Sequence, residues 1–328
     1  MTPSSRILLK LENLQPSGSF KLRGIGNFIS HNLAHAPDPD AVHFFSSSGG
    51  NAGLACVYAA RAVGRPATVV VPLTATAATI EKVRNAGAED VIQIGATWKE
   101  ADSHLRDVVM RDFEAQGGGR KAVYVPPFDH ELLWEGHSSL VDEIRVDMAR
   151  MGLQKPPSAV VCSVGGGGLF SGVMTGVERQ SGWRETTVVA VETEGAESLA
   201  QSLQAEQLIT LPGIKSKATS LGAVRSCTRA FELASAGVKT GRVQSAVLSD
   251  IDAARGCWEL ADAHRMLVEL ACGVTIAFCF DGQLKEALGR KVREDETVVL
   301  VVCGGCLVDA EMVAGWKQEY RERLRQES

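Results

Sequence analysis

Residues 159–178 read AVVCSVGGGGLFSGVMTGVE: a β-rich apolar run, four consecutive glycines from Gly165 to Gly168, and an apolar helical pattern that opens at Leu169. A strand buried on both faces, a sharp turn and a helix account for that order. Four glycines let successive backbone N–H groups turn inward on one anion, and the helix that follows adds the positive end of its dipole. A phosphate is therefore the expected guest. The plain alternative is a flexible tight turn, a use to which four conformationally costly glycines in a row are poorly suited. No Gly-Lys-Ser/Thr follows, so the segment is not a P-loop, and its spacing is not that of a dinucleotide fingerprint.

The same alternation continues in both directions. Further β-rich runs fall at 41–46, 67–72, 91–94, 188–192 and 297–303, with an extended run at 7–12. Helical patterns cover 20–32, 51–64, 76–86, 97–114, 135–151, 169–180, 250–264 and 273–287. Continuous apolar strands alternating with helices predict an α/β, doubly wound architecture with largely parallel sheets. Breaks at Pro37-Asp38-Pro39 and at QGGGR (116–120) bracket a block of βα units. The expected organisation is a small domain, 34–122, inserted into a large one made of 1–33 and 123–328.

At 328 residues, with 45% hydrophobic and 22% charged residues, the chain has the composition of a globular protein with ample core. The net charge of −5 is spread without runs, and no basic stripe is interleaved with aromatics, so nucleic acid is not an expected partner. No apolar run reaches membrane-spanning length, and MTPSSRILLKLE reads as neither a signal nor a transit peptide, which predicts a cytoplasmic protein. The eight cysteines are scattered in mostly apolar surroundings, as reduced buried thiols are.

Three further stretches carry chemistry. PSGSFK (16–21) breaks the extended run, offers Ser19 as a helix cap, and sets Lys21 in the first helical turn. The dipole there opposes a cation and favours a neutral, nucleophilic amine, which suggests a Schiff-base lysine. A solvated surface lysine is the ordinary alternative. SSSGGNAG (46–53) crowds hydroxyls and amides at another helix start. Either it takes a carboxylate, or Ser48 or Asn51 is simply an N-cap. CGGC (303–306) ends a strand. A redox or metal pair has little support without a second pair or a histidine cluster. The strand-end position instead puts the Cys303 thiol at the carboxyl edge of a sheet, where α/β proteins bind ligands. The seven histidines show no metal-site or triad spacing and read mostly as surface or supporting residues.

Taken together, PSGSFKLRG, SSSGGNAG, GGGGL and the strand ending in CGG resemble, in order and approximate spacing, the fold-type II pyridoxal phosphate enzymes of tryptophan synthase β-like architecture. VPPFDH (125–130), WEGH (134–137), VETEGAESL (191–199), LGAV (221–224) and LVELACG (267–273) are similar to the short catabolic L-serine dehydratases within the serine/threonine dehydratase family. The resemblance implies that Lys21 carries pyridoxal 5'-phosphate as a Schiff base and later moves the substrate α-proton, with Phe20 packed beside the cofactor. It implies that Gly165, Gly166, Gly167, Gly168 and Leu169 hold the phosphate, that Asn51 meets the ring hydroxyl, and that Cys303 faces the ring nitrogen. Ser48, Gly49, Gly50, Asn51 and Ala52 would receive the substrate carboxylate. Carbonyls around Gly165, Glu192, Ala196, Leu221 and Ala223 would enclose a monovalent cation such as K+. The implied activity is β-elimination from L-serine or L-threonine, giving pyruvate or 2-oxobutanoate and ammonia, by a homodimer.

Two departures from the family bear on rate. Residues 1–6 run straight into Ile7–Lys10, as if the opening helix were missing, which is expected to leave the site partly uncovered and slow. Gly49 stands where serine racemases carry a serine on the face opposite the lysine, so dehydration without racemisation is expected. Racemase or cysteine synthase-like β-replacement chemistry, and a weakly active truncated homologue, are the alternatives. No segment resembling the regulatory domain of biosynthetic threonine deaminases follows, so isoleucine feedback is not expected.

Overall fold

The computed structural model describes residues 6–280 and 282–327, with side chains through 322. Residues 1–5, on which the expectation of a missing opening helix rests, lie outside the described residues. Nine strands run through the rest: β1 (Arg6–Leu11), β2 (Val42–Ser46), β3 (Ala67–Val71), β4 (Asp90–Gln93), β5 (Lys121–Tyr124), β6 (Ala159–Ser163), β7 (Thr187–Thr193), β8 (Val243–Leu248) and β9 (Thr297–Val302). They form two separate sheets, and every strand pair is parallel.

The chain divides into two compact units, Gln15–Gly136 and the remainder, made of the segment up to Leu14 together with His137 onward. The expected small domain, 34–122, lies inside the first of these. The helix Lys21–Ala34 and the segment 123–136 join that unit together, because they are bonded to one another: Asn27 Nδ2 donates to Leu132 O at 2.8 Å.

In the unit Gln15–Gly136 the sheet order is β4-β3-β2-β5. The central strands β2 and β3 are buried at every residue, as their unbroken apolar runs require, while β4 and β5 are half-exposed edges. Phe45, Val70, Ala101, Leu105 and Ala122 form the core of one face, with Ile92, Val109, Phe113 and Tyr124 packed around them. Each large apolar side chain buried this way contributes roughly 1.5–3 kcal/mol. His43 is also buried, stacked on Phe45 at 4.5 Å, one of the histidines that support the core rather than the surface.

The other unit carries the order β1-β9-β6-β7-β8. Its central strands β6 and β9 are wholly buried, and the glycine run follows β6 directly into the helix Gly168–Arg179. Two expectations fail locally. The helix expected over 273–287 is three pieces, Leu270–Ile276, the 3-10 turn Ala277–Cys279 and Gln283–Leu288, because Phe280 is extended and Gly282 sits at φ +78°. Strands β5 and β8 escaped prediction: KAVY and VQSAVL mix polar with apolar residues, as strands with one exposed face do. No helix among the described residues is long and apolar enough to cross a membrane.

Candidate active site

In the unit Gln15–Gly136, Gly18 closes a turn at φ +79°, its N–H donating to Gln15 O at 2.7 Å. The helix then opens at Lys21. Phe20 occupies the cap position in helical geometry and no side chain caps the helix, so Ser19 does not play that part. Its hydroxyl and that of Ser17 are instead buried without a hydrogen-bond partner. Buried unpaired hydroxyls are costly, and two of them in the turn just before a first-turn lysine fit a site built for a polar guest. Lys21 Nζ donates to Pro127 O at 2.6 Å and stands 5.2 Å from the centre of the Phe20 ring. Gly136 sits so close under this helix that a Cβ there would lie 2.5 Å from Arg23 O, which accounts for the glycine of WEGH.

The second group in this unit is the turn 47–50 between β2 and the helix Asn51–Ala62. Gly50 is the cap residue and no side-chain cap bond forms. Ser48 Oγ accepts from Gly50 N at 3.3 Å instead, and Asn51 is already the first helical residue. The simple N-cap alternative for Ser48 or Asn51 is therefore not what the geometry shows. The 12-residue helix has no side-chain cap bond at its start, and a helix start of this kind favours an anion. Two glycines shape the approach. The Ser48 carbonyl lies where a Cβ on Gly53 would fall, 1.6 Å away, and a Cβ on Gly49 would meet Val71 Cγ1 at 2.9 Å and Thr79 Cγ2 at 3.2 Å.

In the other unit, Val164 N donates to Val191 O at 2.7 Å and the glycine run turns into its helix through Gly167 at φ +90°. The cradle is tight at Gly165 and closed to a side chain at Gly167. A Cβ on Gly165 would lie 3.0 Å from Leu221 Cα, and one on Gly167 would lie 2.4 Å from Ala230 Cβ. Leu169 is buried in the first turn of the helix. Cys227 N donates to Gly166 O at 2.9 Å, and the neighbouring Ser226 hydroxyl is buried without a partner. Backbone shaped for an anion, a helix start and an orphaned hydroxyl nearby suit a phosphate.

Cys303 follows β9 and is buried; its thiol donates to Ala271 O at 3.7 Å and accepts from Ser163 Oγ at 3.5 Å. Ser163 is the residue that leads into the glycine run, so the thiol and the loop share one sheet edge. The turn after it is braced by Glu269: its carboxylate accepts from Leu307 N at 2.9 Å and from the Ser220 hydroxyl. A Cβ on Gly305, at φ +113°, would fall 2.3 Å from Glu269 Cδ. All eight cysteines are free thiols, Cys303 and Cys306 included.

The positions expected around a cation also lie in this unit. Gly165 abuts Leu221, whose carbonyl accepts from Ala223 N at 2.7 Å, and Ala196 N donates to Thr193 O at 2.9 Å. Glu192 is fully buried at the end of β7, its two oxygens accepting from Leu199 N at 2.8 Å and Ala200 N at 2.7 Å. Burial pushes its pKa up to about 8, against the pull of those two amides.

Sequence reasoning quoted Ser17 and Ser19 within PSGSFK, Ser19 as a cap, without seeing them as buried orphans, and it missed Ser226 and a buried carboxylate, Asp102, that bonds to Ser47 beside the 47–50 turn. Neither Ser226 nor Asp102 lies in a motif. Orphaned or bridging polar atoms become visible only when burial is known.

Comparison with known proteins identifies a family for the chain. The family model described as pyridoxal-phosphate dependent enzyme matches residues 2–304. An L-serine dehydratase of Saccharomyces cerevisiae is 43% identical over 306 residues, 92% of this chain and 88% of that protein. The human serine dehydratase-like protein is 40% identical over 91% of this chain and 84% of its own length. Among solved structures, a fungal L-serine ammonia-lyase from Rhizomucor miehei superposes with a TM-score of 0.83 at 32% identity, covering 96% of this chain and 93% of that one.

Proposed function

The chain belongs to the pyridoxal-phosphate dependent enzymes, and on that premise we propose that it is an L-serine/L-threonine ammonia-lyase acting by β-elimination. The observation that carries the reading is the glycine cradle, where Gly167 has no room for a Cβ, Gly165 is tightly backed by Leu221, and Gly167 opens a helix. The comparisons support the substrate class, since the similar proteins are named as serine dehydratases and a serine ammonia-lyase.

In this reading the amides of Gly165, Gly166, Gly167, Gly168 and Leu169 would hold the cofactor phosphate, and Lys21 would bind its aldehyde carbon beside Phe20. Asn51 would meet the ring hydroxyl, and Cys303, a weak donor, the ring nitrogen. Bound there, pyridoxal phosphate supplies an electron-withdrawing ring that makes the α-proton of an amino acid acidic. The chain's own groups do the rest. The loop Ser48, Gly49, Gly50, Asn51 and Ala52 holds the substrate carboxylate, and the released Lys21 amine takes the α-proton. The β-hydroxyl leaves as water, and hydrolysis of the resulting enamine gives the keto acid and ammonia.

Gly49 offers no base on the face opposite the lysine, which favours elimination over racemisation. The same reading assigns K+ to the carbonyls of Gly165, Glu192, Ala196, Leu221 and Ala223, supported by the apposition of Gly165 and Leu221. Activity in KCl against tetramethylammonium chloride tests it. A second copy of the chain is the proposed partner, checked by sedimentation. The deciding experiment is keto-acid release from L-serine and L-threonine by protein incubated with pyridoxal phosphate, wild type against Lys21→Ala. Release only when a thiol is added points to β-replacement. Release that persists in the variant removes Lys21 from the mechanism.

A further inference from the structure

We propose that Asp102 is a positioning residue for the substrate carboxylate, acting through Ser47, the residue that leads into the loop; the proposal rests on the reading of Ser48–Ala52 as the carboxylate loop. Asp102 comes from the helix Trp98–His104, 55 residues away in sequence, and is 5% exposed. Its Oδ1 accepts from Ser47 Oγ at 2.7 Å and from Tyr124 Oη at 2.6 Å, while Oδ2 pairs with Arg106 Nη2 at 2.7 Å. Arg106 in turn lies 5.6 Å over the Tyr124 ring. Burial and then the bond to Asp102 raise the Tyr124 phenol, which keeps it a donor.

A carboxylate buried at this depth is costly to desolvate, and its attraction to Arg106 alone would be served equally well at the surface. What burial achieves here is geometry. Ser47 is the first residue beyond β2, and the turn from 47 to 50 lies outside any repeating backbone ladder. The Ser47 hydroxyl ties that turn to the body of the unit. Tyr124 ends β5, the hydrogen-bonded neighbour of β2. The segment it leads into, which ends at the acceptor of Lys21, has its own backbone tie, Val125 N to Phe45 O at 2.7 Å. Loss of Asp102 therefore falls mainly on the Ser47 side, where the carboxylate is held, and less on Lys21.

The test uses the cofactor-loaded protein and glycine, an amino acid with nothing to eliminate, titrated by calorimetry, alongside KM and kcat for L-serine. Asp102→Ala and Ser47→Ala are expected to weaken glycine binding and raise KM by tenfold or more, with kcat within about threefold of wild type. The cofactor absorbance band should be retained. Asp102→Asn keeps an acceptor for Ser47 and Tyr124 and is expected to stay within about threefold of wild type throughout. The double variant should be no worse than Asp102→Ala, since both act through one bond. Glycine affinity and KM unchanged in Ser47→Ala, or a fall in melting temperature alone in Asp102→Ala, overturns the proposal. Should Asp102→Ala fail to fold, Ser47→Ala decides by itself. Wild-type protein that binds glycine yet releases no keto acid sinks the lyase reading and leaves the same affinity comparison to judge Asp102. Wild-type protein that binds no amino acid overturns both.

Discussion

At Gly167 a single methyl group is enough to test the phosphate cradle. Its φ of +90° disfavours any L side chain, and a Cβ would press to 2.4 Å from Ala230 Cβ and 3.2 Å from Cys227 Sγ. Backbone strain of about 1–2 kcal/mol adds to the clash. Gly167→Ala is accordingly expected to lose at least tenfold in affinity for pyridoxal phosphate, read as cofactor absorbance retained through gel filtration. Retention equal to wild type would remove the loop from the phosphate site. Gly49 gives the opposite kind of test, because the substitution there would install a racemase-like serine. A Cβ at 2.9 Å from Val71 Cγ1 overpacks the site at a cost of about 1–3 kcal/mol. Gly49→Ser should melt a few degrees lower and yield no D-serine. Pairing it with Val71→Ala should restore the melting temperature, and D-serine from the single variant would show that the packing argument is wrong. Residues of this kind were legible in the sequence because Gly and Lys have few reasons to stand where they do. Asp102 was not, since nothing local marks a carboxylate whose partner lies 55 residues off.

Elements were legible where their apolar residues run unbroken, which full burial favours but does not alone decide: the short run of β4 was read despite its exposed ends. β6 and β9 are buried at every residue and declared themselves as apolar runs, whereas β5 and β8, each with an exposed side, did not. The pair β2 and β3 contains a buried imidazole that couples the sheet to pH. His43 Nε2 is 2.9 Å from Thr68 Oγ1, and burial lowers the His43 pKa, opposed by Glu89 and assisted by Arg120. The folded pKa thus lies below the unfolded one, so the folded protein binds fewer protons in the interval between them. Stability on this account is fully present above about pH 6.5 and declines as pH falls through the folded value. His43→Gln can keep a bond to Thr68 without titrating. Chemical denaturation between pH 8 and 5 should show a decline in wild type that is shallower in the variant. Parallel curves would remove His43 as its source.

For the molecule as a whole, parallel α/β architecture followed from the alternation of runs, and the broad class from composition. The division of the chain did not follow as closely: cuts were placed at proline- and glycine-rich breaks, while the compact unit begins at Gln15 and ends at Gly136. Breaks mark where chain is exposed, but membership is set by bonds such as Asn27 to Leu132, which link residues 105 apart. The cysteines span both units and make a global test of the fold. Six are buried, with only Cys279 and Cys306 half-exposed. Burial pushes Cys56 up to about 12 and Cys279 up to about 11, and raises Cys162, Cys257 and Cys272 as well. Since the thiolate is the reactive form, a thiol-specific chromogenic disulfide at pH 8 should find Cys306 first. Cys279 should follow much more slowly, because only roughly one in a thousand of its molecules is ionised at that pH. The remaining six should appear only in denaturant, bringing the unreduced total to eight. A total of six would mean that one pair, Cys303 with Cys306 foremost, is a disulfide. Rapid reaction of more than two thiols in the native protein would mean that the six thiols are not buried as described.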